Sequence, residues 1–101
     1  MKHSLIEKEE RDIADLSLPL RALWYATHGH WEAAHRLVQD DPSSDCAWVH
    51  AYLHRVEGDT RNARYWYHQA GKRTATGISL EQELEELIRT LSEEPKEGDQ
   101  K

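Results

Sequence analysis

The apolar positions of this chain recur with helical spacing, and the stripes they make are interrupted at regular places. Leu80, Leu84, Leu87, Ile88 and Leu91 stand at i, i+4, i+7, i+8 and i+11 among glutamates, the cleanest amphipathic pattern in the sequence. Leu20, Leu23, Trp24 and Thr27 share one helical face, and Trp31, Ala34 and Val38, with Leu37 beside them, share another. Trp48, Val49, Tyr52, Leu53 and Val56 make a third stripe, and Ala63, Trp66, Tyr67 and Ala70 a fourth. Leu5, Ile6, Ile13 and Leu16 follow a looser helical pattern near the N-terminus, which predicts a covering helix there.

The interruptions predict where these helices begin and end. Ser17 followed by Pro19 reads as an N-cap and a first turn, because proline has no N–H to lose there. Gly29 and Gly58 can take the left-handed conformation that closes a helix. The run Asp40-Asp41-Pro42-Ser43-Ser44 breaks the chain, with Asp45 and Asp59 the expected caps of the helices that follow. Ser4 to Glu7 and Ser79 to Gln82 both read as capping boxes. Tyr25, with Ala22 beside it, lies off the stripe of its helix, so it either packs on the N-terminal helix or joins an exposed surface.

These segments repeat. Ala22, Tyr25, Gly29 and Ala34 align with Ala51, His54, Gly58 and Ala63 at an offset of 29 residues. A duplication of that length predicts two stacked helix-turn-helix units, here about residues 18–39 and 45–71. The expected architecture is an all-α domain over residues 1–92, two helical hairpins with a covering helix at each end, and a disordered acidic tail at 93–101.

The run Leu23-Trp24, Gly29, Trp31 and Ala34, closed by Asp41-Pro42, resembles a tetratricopeptide repeat. The second copy, with Ala51, His54, Gly58-Asp59, Ala63, Tyr67 and Ala70, is similar to the later part of that motif. His54 and Thr60 replace aromatics of the motif, and the offset is shorter than the family period of about 34 residues. The segments Trp31-Glu32-Ala33-Ala34 and Asn62-Ala63-Arg64-Tyr65-Trp66-Tyr67 also resemble a family of small bacterial proteins, a likeness that brings no function. The resemblance to the repeat family implies helical hairpins and a non-catalytic groove that binds peptides or proteins.

Charge narrows the partners. The net charge is −6, and it sits mainly at the C-terminal end, whereas the repeat region is close to neutral. An acidic chain argues against nucleic-acid and anionic-membrane binding. No apolar run is long enough to span a bilayer, and the single cysteine, Cys46, fits a reducing cytoplasm.

Three sets of side chains invite chemistry. Arg61, Arg64, Tyr65 and His68 share the helical face opposite Ala63, Trp66, Tyr67 and Ala70, and an aromatic amid arginines is interface composition. They are the expected partner-binding residues for a protein or peptide, a basic face that favours an acidic peptide or the chain's own acidic tail. Cys46, His50 and His54 recur at i, i+4 and i+8, and His28 and His30 flank Gly29 with His35 one turn beyond. These are metal-ligand types, and the hairpin is expected to bring His28 near His50 or His54. Three ligands along one straight helix spread too far to meet one ion, so the primary expectation is polar packing at a helix interface with no cofactor. There is no phosphate loop, nucleophile elbow or paired catalytic carboxylate, the C-terminal glutamates being placed on a solvated face. The sequence therefore reads as a non-catalytic cytoplasmic binding module. A small His-rich metal-binding or hydrolytic protein, and a homodimer paired through the C-terminal leucine stripe, are the alternatives.

Overall fold

The computed structural model describes residues 4–75 and 77–92, and the expected tail at 93–101 lies outside them. Among the described residues there are helices and no strand: α1 (Ser4–Glu7), a 3₁₀ turn (Glu10–Asp12), α2 (Leu18–Thr27), α3 (Trp31–Val38), α4 (Ser44–Val56), α5 (Thr60–Gln69) and α6 (Leu80–Ser92). The fold is all-α, as the periodicity predicts.

The duplication has a backbone counterpart. At the end of α2, Gly29 has φ +81°, its N–H reaches the Ala26 carbonyl, and the His30 N–H reaches back to the Tyr25 carbonyl at 2.8 Å. At the end of α4, Gly58 has φ +86°, its N–H reaches the Arg55 carbonyl, and the Asp59 N–H reaches the His54 carbonyl at 2.8 Å. Both are Schellman closures, in which a left-handed residue lets two N–H groups satisfy the last carbonyls of the helix. Each turns the chain directly into its partner helix, so α2 packs along α3 and α4 along α5. Ala22, Ala34, Ala51 and Ala63 are all buried, and their small side chains allow that close approach.

Helix α4 is the centre. It touches α2, α3, α5 and α6, and every residue from Cys46 to His54 is buried. Its stripe is thus wider than the sequence pattern implies, while Val56 at its end is exposed. Its N-cap is Ser43, whose hydroxyl accepts from the Cys46 N–H, and not Asp45, which falls in the first turn. Asp59 caps α5 through the Asn62 N–H, as expected.

The N-terminal cover is shorter than a full helix. One turn of α1 and the 3₁₀ turn carry Leu5 and Ile13 into the core. Side chains of α2 hold this segment: Trp24 donates its indole N–H to the Lys8 carbonyl at 2.8 Å, and Tyr25 donates to Glu10 at 3.0 Å. Tyr25 therefore packs against the N-terminal segment.

At the other end, Ser79 and Gln82 form the expected capping box, and α6 lays Leu87, Ile88 and Leu91 across α2 and α4. Glu83 departs from the expectation of a solvated glutamate face. It is 1% exposed, and its carboxylate accepts from Tyr67 Oη at 2.6 Å, Trp48 Nε1 at 3.2 Å and Arg55 at 2.8 Å. Arg55 also donates to the Ile78 carbonyl. This ion pair, buried on the Glu83 side and half-buried at Arg55, pins α6 to the second helix pair together with its two neutral donors. Burial, and then the bond to Glu83, raise the Tyr67 hydroxyl far above the ordinary tyrosine range.

Candidate functional site

The outward face of α5 is built as its sequence predicts. Ala63, Tyr67 and Ala70 point into the core, and Arg61, Arg64, Tyr65 and His68 are all exposed. All eight Trp and Tyr residues are among those described, and Tyr65 alone is exposed, at 54%. Its ring meets Trp66 edge-on at 5.0 Å. Beside it lies a groove of about 260 Å³ lined by Asp40, Asp41, Pro42, Trp66 and Gln69. Lys72 is turned away to another task, its ammonium lying 4.0 Å from the centroid of the Trp48 ring.

A second constellation lies where the two helix pairs meet. His50 and His54, one turn apart on α4, face His35 of α3. One ring nitrogen from each lies within 4.8 Å of the others. His35 Nε2 and His50 Nε2 are 3.0 Å apart, so one donates and the other accepts. His50 Nδ1 is buried without a partner. His54 Nδ1 is bonded to Glu57 Oε2 at 2.8 Å.

Two tryptophans wall the cluster. Trp31 stacks on His35 at 4.8 Å, and its indole N–H is fixed to the Leu53 carbonyl at 2.7 Å. Trp66 stacks on His50 at 4.0 Å. Burial disfavours the charged imidazolium, and the neighbouring imidazoles add to that effect. His50 is pushed down to about 4, and His35 is shifted below its ordinary value for the same two reasons. These are neutral rings with lone pairs to offer at neutral pH.

The sequence assembles this group incorrectly. His28 was expected near His50 or His54, but it stacks on Trp24 at 3.9 Å and bonds the Trp24 carbonyl through Nδ1. His30 is exposed at the start of α3, edge-on to Tyr25. Cys46 is buried, and burial raises its thiol to about 11, which makes it a packing residue. It belongs to neither group of converging ligand atoms among the described residues. His35 takes the place assigned to His28. The signal was present: with Trp31, Ala34 and Val38, His35 completes i, i+3, i+4 and i+7 on the face of α3 that meets α4. Its neighbours across the junction come from a different helix, and spacing along one helix does not report them.

A further acidic pair, Glu57 and Asp59, lies with His54 at the α4–α5 turn, one ligand atom from each within 4.8 Å of the others. Asp59 already accepts from both nitrogens of Asn62. Among the described residues no helix is long and apolar enough to cross a membrane. The chain matches no protein-family model, and no curated protein or solved structure is similar to it.

Proposed function

We propose that this protein is a non-catalytic cytoplasmic module that binds a protein or peptide partner through the outward face of α5. The observation that carries the reading is Tyr65, the one exposed Trp or Tyr among the described residues. Large amphipathic side chains cost little rotamer entropy when they dock, and Tyr and Arg recur among the residues that anchor interfaces. Arg61 and Arg64 on the same face favour an acidic partner. The Trp66 ring meets Tyr65 edge-on and backs it on the core side. The likeness of residues 18–71 to a tetratricopeptide repeat supports the same reading.

The test is partner capture with the full chain and with Arg64→Ala combined with Tyr65→Ala. The variant is expected to keep its helical circular-dichroism signal and melting temperature and to lose the captured partner. A folded variant that still captures every partner of the wild type would assign this face to solvent alone.

A further inference from the structure

Three imidazoles converge at the junction of the two helix pairs, one ring nitrogen from each within 4.8 Å of the others, and His50 Nδ1 is buried with no partner in the protein. His50 is 3% exposed, yet its only hydrogen bond is to another imidazole, and its second ring nitrogen has no partner. Buried polar groups are satisfied in the great majority of cases, and an exception asks for a reason. His35 Nε2 and His50 Nε2 lie 3.0 Å apart and share one proton, so one ring donates its N–H to the lone pair of the other. We propose that His35, His50 and His54 form a binding site for a single divalent transition-metal ion of the zinc class, which clamps α3 to α4.

The donor set selects the metal. Three imidazoles suit Zn²⁺, Ni²⁺, Cu²⁺ or Fe²⁺, whereas Mg²⁺ and Ca²⁺ take oxygen ligands. Zinc–nitrogen bonds of about 2.0–2.1 Å place tetrahedral ligands roughly 3.3 Å apart. The His35–His50 pair therefore has to open by a few tenths of an ångström, and the third nitrogen to close in from within 4.8 Å. Glu57 holds His54 Nδ1 at 2.8 Å and leaves Nε2 to bind the ion. A carboxylate on the far nitrogen of a ligating histidine is the usual outer-shell arrangement, which fixes tautomer and ring orientation. Trp31 on His35 and Trp66 on His50 hold the other two rings by stacking. Three histidine ligands leave a fourth position to water or an added ligand.

The site uses none of Arg61, Arg64, Tyr65 and His68, and although Trp66 touches both Tyr65 and His50, metal uptake and partner capture are read out separately. The experiment uses the full chain, stripped with chelator and titrated with Zn²⁺ calorimetrically and with Co²⁺ by absorption. Wild type is expected to take one Zn²⁺ per chain, to melt at a higher temperature with it, and to give four-coordinate Co²⁺ bands without thiolate charge transfer. Glu57→Gln is expected to weaken binding roughly 10- to 100-fold, the usual outer-shell effect, and His35→Gln by more. His28→Gln and His30→Gln are expected to bind as wild type. Zinc uptake that does not saturate at one ion, or that is equal in folded His35→Gln and wild type, overturns the proposal. Should His35→Gln lose its helical signal, Glu57→Gln and the wild-type Co²⁺ spectrum decide: unchanged affinity with six-coordinate bands overturns it.

Discussion

Tyr67 of α5 donates its hydroxyl proton to Glu83 of α6 at 2.6 Å, and both residues are no more than 1% exposed. The same oxygen takes the Trp48 indole N–H, and the other oxygen takes Arg55. One carboxylate thus joins α4, α5 and α6. Removing one partner of a buried ion pair costs about 3–5 kcal/mol, because it strands the other charge and its donors. Arg55 is 22% exposed and water can reach it, so Glu83→Ala is expected to lose about 3 kcal/mol, the lower end of that range, in urea denaturation. Tyr67→Phe removes a single bond to a charged group and is expected to lose about 1.5–3 kcal/mol. Equal losses in the two variants would show that the carboxylate is not the hub.

Glu83 also marks where sequence reading stops. Its position was legible, since Leu80, Glu83, Leu84 and Leu87 are spaced i, i+3, i+4 and i+7 on one face of α6. Its chemistry was misleading, because a lone glutamate among glutamates gives no sign of the arginine, tyrosine and tryptophan that meet it from other helices. The all-helical class, the glycine turns and the burial of Ala22, Ala34, Ala51 and Ala63 were legible because each is local or repeated. The N-terminal cover was overextended: Leu5 and Ile13 reach the core from short turns as well as they would from a helix. The imidazole cluster was half legible, with His50 and His54 one turn apart and His35 contributed by a neighbouring helix.

The two glycine closures make a matched pair for mutation. A Cβ at Gly29 or Gly58 meets nothing within 4 Å, so the penalty for alanine is conformational and not steric. A left-handed backbone costs an L-residue about 1–2 kcal/mol. Gly29→Ala and Gly58→Ala are each expected to destabilise by that amount in denaturant titration, with unchanged m-values. A loss well above this range at either site would reveal a contact beyond the turn geometry.

Ala63 tests the close approach of α5 to the core. It is 2% exposed, one turn after the Gly58 break, and matches Ala34 in the first copy. Extra methylenes in a filled contact force neighbours off their rotamers and cost about 1–3 kcal/mol. Ala63→Leu is therefore expected to lower the unfolding free energy by that amount and the denaturation midpoint with it, while Arg64→Ala on the outer face leaves both nearly unchanged. A midpoint untouched by Ala63→Leu would mean that the helices are not in close contact there.

The imidazole cluster predicts an acid-sensitive fold in chelator-treated protein. His50 is held down to about 4, against about 6.5 for an unperturbed histidine, by burial and by the facing His35 and His54. The folded chain therefore refuses a proton that the unfolded chain accepts between those two values, and stability must fall as pH falls through that window. One proton excluded corresponds to a slope of at most about 1.4 kcal/mol per pH unit. His35, shifted the same way by burial and by the facing His54, adds to it. The carboxyls of Asp41 and Asp59 lie below their ordinary range because backbone N–H groups bond them, so their contribution is lost only at lower pH. Chemical denaturation from pH 7 to pH 4 is expected to follow the histidine slope, and His50→Leu is expected to flatten it, since a leucine has no proton to accept. A wild-type profile that is level from pH 6.5 to 4, or a slope that survives His50→Leu unchanged, would place the acid sensitivity outside the cluster.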